Sequence, residues 1–245
     1  MKRLGLIVGS GELPWQLDWT QAGSADTEFG AASMAPEVAA LANIELVRIR
    51  RHGEPHRFAP HAINYRANLS ALANMSVDAI IALNTVGGIT PEATTGALLL
   101  PDQLIDYTWG RRQSFCADDA VRHIDFSNPY DCGLQMSLKS AADDCGIAVV
   151  EGGVMAVTQG PRLETVAEVR RLARDGCAVV GMTGMPEAAL ARELDIPFAA
   201  ICLVVNPAAG VAGAETVDMQ SLQEVARAGM HTVGELLLAF VERCV

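Results

Sequence analysis

The chain has 245 residues, half of them hydrophobic and 19% charged, with a formal net charge of −11. That composition is globular and supports the core of one large domain, taken here as residues 1–245. So acidic a chain lacks the cationic footprint that nucleic acid or an anionic membrane surface requires, and any anion it binds must be held by local donors.

The six cysteines, Cys116, Cys132, Cys145, Cys177, Cys202 and Cys244, make no CxxC pair. This argues against a zinc or redox motif and for reduced, mostly buried thiols in a cytoplasmic protein. The apolar run LGLIV at residues 4–8 is too short for a signal peptide, and nothing approaches the roughly 18 apolar residues of a membrane span. A soluble protein is expected.

In chain order, residues 4–8 read as a strand buried on both faces. It runs into Gly9-Ser10-Gly11, either a plain turn or a loop that offers Ser10 to a ligand. It is not a dinucleotide fingerprint, because Pro14 takes the third glycine position, and it lacks the Lys-Ser/Thr of a P-loop. Residues 12–37 read as loop and short strands. Residues 44–50 read as a strand running into Arg51-His52-Gly53-Glu54-Pro55-His56-Arg57, which is either a solvated basic turn or an oxyanion site. Residues 64–72 are helix-like.

Residues 78–83 read as a second buried strand ending in Asn84-Thr85-Val86-Gly87-Gly88. Three strands thus deliver Ser10, Arg51 and Thr85 to one edge. In open α/β sheets ligands bind at the carboxyl ends of the strands. Residues 104–112 read as strand then loop, and 121–130 carry a lone His123. Residues 131–145 fit a helix stopped by Gly146.

The densest set of polar residues at element ends lies between Gly152 and Asn206. Strands are expected at 147–150, 154–159, 178–182 and 197–205, and helices at 165–175 and 186–194. The apolar stripe at 166, 169, 172 and 173 carries the first helix. This alternation argues for a largely parallel sheet. Glu164, Met182, Thr183 and Asn206 sit where an apolar run stops or a helix starts. Each also has a plain structural reading: Glu164 as a helix cap, Met182 as core, Asn206 as a strand terminator. Residues 221–244 read as a long amphipathic helix, with Ser221 and Glu224 spaced as a capping box.

Five segments then occur in one order: Gly-Ser-Gly after the first strand, RHG at 51–53, HAINYRAN at 61–68, GPRLETVAEV at 160–169 and GMTGMPEAALARE at 181–193. Over nearly its whole length the chain resembles the trimeric purine nucleoside phosphorylases and, more closely, their methylthioadenosine phosphorylase branch. The resemblance implies an α/β fold of three α/β/α layers with a mixed, partly barrel-like central sheet. It implies phosphorolysis: phosphate attacks C1′ of a purine nucleoside and releases the base and a ribose 1-phosphate. No metal or organic cofactor is implied, phosphate being a co-substrate. The implied assembly is a homotrimer with active sites shared between subunits.

By the same resemblance, Ser10, Arg51, His52, Thr85, Val86 (through its backbone N–H) and Thr183 surround phosphate, and Met182 lies under the ribose. Glu164 and Asn206 meet the base. They match the purine nucleoside phosphorylase branch, whereas adenosine-preferring enzymes place a serine and an aspartate there. Glutamate accepts an N1–H, which a 6-oxopurine has and adenine lacks. The 5′ side points to the methylthio branch: no histidine meets a 5′-hydroxyl, Val217 offers an apolar wall, and His123 matches a position that reaches a neighbour's pocket. The combination implies a phosphorylase for a 6-oxopurine 5′-methylthionucleoside. The alternatives are an inosine/guanosine phosphorylase and a methylthioadenosine phosphorylase.

Overall fold

The computed structural model describes residues 1–116, 121–213 and 219–244. Its strands are β1 (Arg3–Val8), β2 (Thr20–Gln21), β3 (Asp26–Thr27), β4 (Gly30–Ala31), β5 (Glu37–Leu41), β6 (Ile44–Arg50), β7 (Ala79–Gly88), β8 (Leu98–Leu100), β9 (Gln103–Asp106), β10 (Val149–Glu151), β11 (Val154–Val157), β12 (Cys177–Gly181) and β13 (Phe198–Pro207). The helices are α1 (Tyr65–Asn74), α2 (Cys132–Asp144), α3 (Val166–Arg174), α4 (Glu187–Glu193) and α5 (Met219–Arg243).

Eleven strands form one mixed sheet, in the order β10-β8-β13-β7-β1-β6-β5-β2. At β7 the sheet forks, and β12, β11 and β9 continue as a second branch. The fork is possible because β7 is ten residues long. Its first part pairs parallel with β1, all of it after Ala79 pairs with β13, and Gly87 and Gly88 also pair antiparallel with β12. A branching, curling sheet of this kind is the partly barrel-like centre that was expected.

Apolar side chains on both faces of the central strands produce two cores. One packs Leu69 and Leu72 of α1 and Leu190 of α4 against Ile80, Ala82 and Val204. The other packs Leu138 of α2 and Leu236, Leu237 and Phe240 of α5 against Leu6, Ile81 and Leu203. This gives the three α/β/α layers. The smaller α3 covers β12 through Val169 and Leu172.

Local chemistry sets the helix starts. The Asn64 side chain accepts from the Ala67 N–H, and the Asp131 side chain from that of Leu134, the usual N-cap arrangement. α3 begins with a full capping box between Thr165 and Glu168. α5 is described from Met219 onward, and Ser221 and Glu224 both lie within it. The cysteines differ from expectation: all six are free, but only Cys177 and Cys202 are buried, and Cys132 and Cys145 are exposed. Among the described residues no helix is long and apolar enough to cross a membrane.

Candidate active site

β1, β6, β7 and β13 run parallel, so their carboxyl ends meet at one edge. β12 runs back along β7 and brings the segment after Gly181 to the same place. A cavity of about 340 Å³ opens there, within the usual size of a small-molecule site. Ser10, His52, Thr85, Val86, Glu164, Met182, Thr183 and Asn206 all line it. Those eight residues span nearly two hundred positions of sequence, and the topology collects them into one pocket. Its apolar walls include Pro60, Val205 and Leu222.

Two of these residues lie differently from the sequence reading. Thr85 and Asn206 were placed at strand ends, yet both sit inside strands. β7 and β13 stay paired well past their apolar runs, which keeps the polar residues in the ladder. The register between them slips between Val204 and Asn206. Such a bulge re-aims a side chain, and here it lets Asn206 join Val205 on the cavity wall.

Arg51 is the clear departure. It is 1% exposed and does not line the cavity. Its Nε and Nη2 donate to the two carboxylate oxygens of Glu187 at 2.6 and 2.9 Å, and Nη1 donates to Leu83 O. The guanidinium lies beneath the first loop, and a Cβ on Gly9 would come within 2.5 Å of Nη1. Gly9 is therefore required for close passage of Arg51. Glu187 thus neutralises Arg51 beneath the Gly9-Ser10 turn, as a buried guanidinium requires, and these three bonds leave one N–H on each of Nη1 and Nη2.

His52 and His56 do reach the cavity, with rings stacked 4.0 Å apart. His52 Nδ1 lies 2.7 Å from Phe58 O. Burial, then the adjacent Arg51 charge, hold the His52 imidazole down at about 4, so it is neutral at pH 7. Thr183 Oγ1 donates to Asn84 Oδ1 at 3.0 Å, and both residues are buried. Asn84 was read only as part of a polar, glycine-rich strand end; its place beside Thr183 follows from its position inside β7.

On the other side, Glu164 Oε1 accepts from Thr158 Oγ1 at 2.6 Å. Thr165 and Glu168 already cap α3, so Glu164 is released from the capping role and faces the cavity. Asn206 Nδ2 donates to Pro207 O at 2.6 Å. That bond orients the amide and leaves one N–H and the carbonyl oxygen for a ligand.

Arg111 was not singled out by the sequence reading, although it lies in the loop after β9. Its Nη1 donates to Met185 O and Tyr65 Oη, and its Nη2 to Thr158 O, Gln159 O and Met182 O. One guanidinium thus fixes the backbones on which Glu164 and Met182 depend. The Met182 side chain packs under Gly160, where a Cβ would sit 2.6 Å from its sulfur. Val217 lies outside the described residues. His123 is exposed in the loop before α2 and is not part of this cavity.

Chemically, the pocket has one set of hydroxyls and imidazoles, from Ser10, Thr85, Thr183, His52 and His56, suited to a small anion. The other has a carboxylate and a carboxamide, a pair that can read the edge of a heterocycle. Among the described residues no group of three or more His, Cys, Asp or Glu is placed to hold a metal ion.

Comparison with known proteins agrees with this fold. A protein from Pseudomonas syringae pv. tomato named "Probable S-methyl-5'-thioinosine phosphorylase" is 50% identical over 210 residues, covering 85% of each chain. A protein of the same name from Xanthomonas campestris pv. campestris is 44% identical, covering 96% of this chain and 95% of its own. The structure of Schistosoma mansoni methylthioadenosine phosphorylase with adenine superposes with a TM-score of 0.91 at 27% identity, over 99% of this chain and 91% of that one. The model of the phosphorylase superfamily matches residues 3–242. With the fold, the cavity and these matches in agreement, the chain belongs to the phosphorylase superfamily.

Proposed function

We propose that the protein cleaves the N-glycosidic bond of S-methyl-5′-thioinosine with inorganic phosphate, giving hypoxanthine and 5-methylthioribose 1-phosphate. The observation that carries this is the presence of Glu164 and Asn206 on the same cavity as Ser10, Thr85 and Thr183. The names of the relatives support it.

Bond cleavage builds positive charge on the sugar and negative charge on the leaving purine. A catalyst must favour that charge pattern over the ground state. Phosphate on the side of Ser10, His52, Thr85, Val86 and Thr183 faces the developing sugar cation and attacks C1′. Met182 forms the floor under the ribose. Glu164 accepts N1–H of the 6-oxopurine. Asn206 donates its free N–H to O6, and its carbonyl accepts from N7 as that nitrogen gains a proton. A 6-amino group would face Asn206 donor to donor. An unmet buried hydrogen bond costs about 1–3 kcal/mol, roughly ten- to a hundred-fold in rate.

The 5′-methylthio group is assigned to an apolar wall that includes Leu222, which lines the cavity; the resemblance adds Val217. An inosine or guanosine phosphorylase is the second reading, since Glu164 and Asn206 serve those bases equally well. Phosphate is a co-substrate, and no metal or organic cofactor enters. The reading also includes a cytoplasmic homotrimer with shared sites, in which His123 reaches a neighbour's pocket. Trp109, 73% exposed, lines a separate pocket that also touches Glu164 and supports such a contact. The test is product analysis: hypoxanthine must appear in step with phosphate consumed and with a methylthioribose 1-phosphate. Free methylthioribose, or turnover without phosphate, would refute phosphorolysis.

A further inference from the structure

We infer that His52 selects among oxyanions: its ring presents a hydrogen-bond acceptor to the cavity and so favours an anion carrying a proton, hydrogenphosphate or hydrogenarsenate, over sulfate. The inference rests on the phosphate side of the cavity proposed above.

The ring's tautomer follows from its partners. Nδ1 lies 2.7 Å from Phe58 O, and a carbonyl can only accept, so Nδ1 carries the hydrogen. In a neutral imidazole the lone pair is then at Nε2. The surroundings keep the ring neutral. It is 7% exposed, Arg51 precedes it, and His56 stacks on it at 4.0 Å. The carboxylates that share a pocket with it are bonded elsewhere, Glu12 and Glu54 to Arg50 and Glu164 to Thr158, and Glu187 is bonded to Arg51. No acid therefore holds a second proton on the ring, and burial with the Arg51 charge lowers its proton affinity further.

His52 lines the cavity together with Ser10, Thr85 and Thr183. Those hydroxyls can rotate to donate to any oxygen. A neutral Nε2 cannot donate. Facing a fully deprotonated oxyanion it opposes lone pair with lone pair. Facing a P–OH or As–OH it accepts a hydrogen bond. Sulfate matches phosphate in shape and charge but carries no proton at neutral pH. A site that leaves a buried polar group unpaired rejects the analogue by roughly 10- to 100-fold.

The test is sulfate inhibition of phosphorolysis at about pH 7.5, competed against phosphate, with arsenate as alternative co-substrate. The native protein is expected to turn over with arsenate and to show a sulfate inhibition constant at least ~10-fold above its KM for phosphate. His52→Asn, whose amide can donate, is expected to narrow that ratio several-fold. Calorimetric titration of phosphate and sulfate gives the same ratio if the variant turns over too slowly. Sulfate binding within about two-fold of phosphate in the native protein, or an unchanged ratio in His52→Asn, overturns the inference. Turnover that ignores phosphate altogether would instead remove the phosphorolysis reading itself.

Discussion

Arg51 and Glu187 form a two-pronged ion pair, 136 residues apart in sequence, with neither side chain more than 1% exposed. It joins the turn after β6 to the first residue of α4, directly beneath the Gly9-Ser10 loop. Removing one partner strands a buried charge, which costs about 3–5 kcal/mol. Glu187→Ala should therefore lose about that much stability in denaturant unfolding. Replacing both partners with apolar residues, Arg51→Met with Glu187→Leu, should recover most of it. A double variant no more stable than Glu187→Ala would show that the pair is not acting as a buried charge couple.

Thr158 and Thr165 lie seven residues apart but serve different ends. The Thr158 hydroxyl holds Glu164, whereas Thr165 caps α3. A hydrogen bond to a charged group contributes about 1.5–3 kcal/mol, so Thr158→Val should lower kcat/KM by roughly ten-fold or more and cost stability of about that size. Thr165→Ala should cost about 1 kcal/mol of stability and leave the substrate preference unchanged. Equal effects of the two variants on activity would put Glu164 in the helix cap after all.

His52 gives a pH prediction. Its ring is held at about 4, by burial first and then by Arg51, with His56 adding a smaller push. An unfolded histidine titrates near 6.5, so the unfolded chain binds the extra proton. The contribution to stability is complete above about 6.5 and is lost as the pH falls toward 4, amounting to about 3 kcal/mol at most. Between pH 7 and pH 4.5 the native protein should lose more stability than His52→Gln. Parallel losses would mean that His52 is not buried neutral.

Much of this site was legible because its residues sit next to strong local signals. Ser10, Thr85 and Asn206 follow continuous apolar runs, and Glu164 precedes a periodic helix, so the sheet edge could be named from pattern alone. What pattern misses is commitment at a distance. Arg51 in an exposed-looking basic turn gives no hint of a buried ion pair, and only the fold brings Glu187 to it. Arg111 gives the same lesson: its value lies in carbonyls of residues 158, 159, 182 and 185, which converge only in three dimensions. The bulge at Val205 is likewise invisible in the sequence, because it arises from pairing between β7 and β13.

In the proposed reading Asn206 carries the base preference. Asn206→Asp replaces the N–H directed at O6 with an acceptor suited to a 6-amino group. The ratio of kcat/KM for methylthioinosine over methylthioadenosine should fall by roughly ten- to a hundred-fold. An unchanged ratio would take Asn206 out of that role.

The most direct measurement compares kcat/KM for methylthioinosine, methylthioadenosine, inosine and guanosine, each with and without phosphate. A cavity built on Glu164 and Asn206 predicts that methylthioinosine leads the four by at least ~10-fold over methylthioadenosine and that every rate vanishes without phosphate. A clear preference for methylthioadenosine, or turnover in the absence of phosphate, would contradict it.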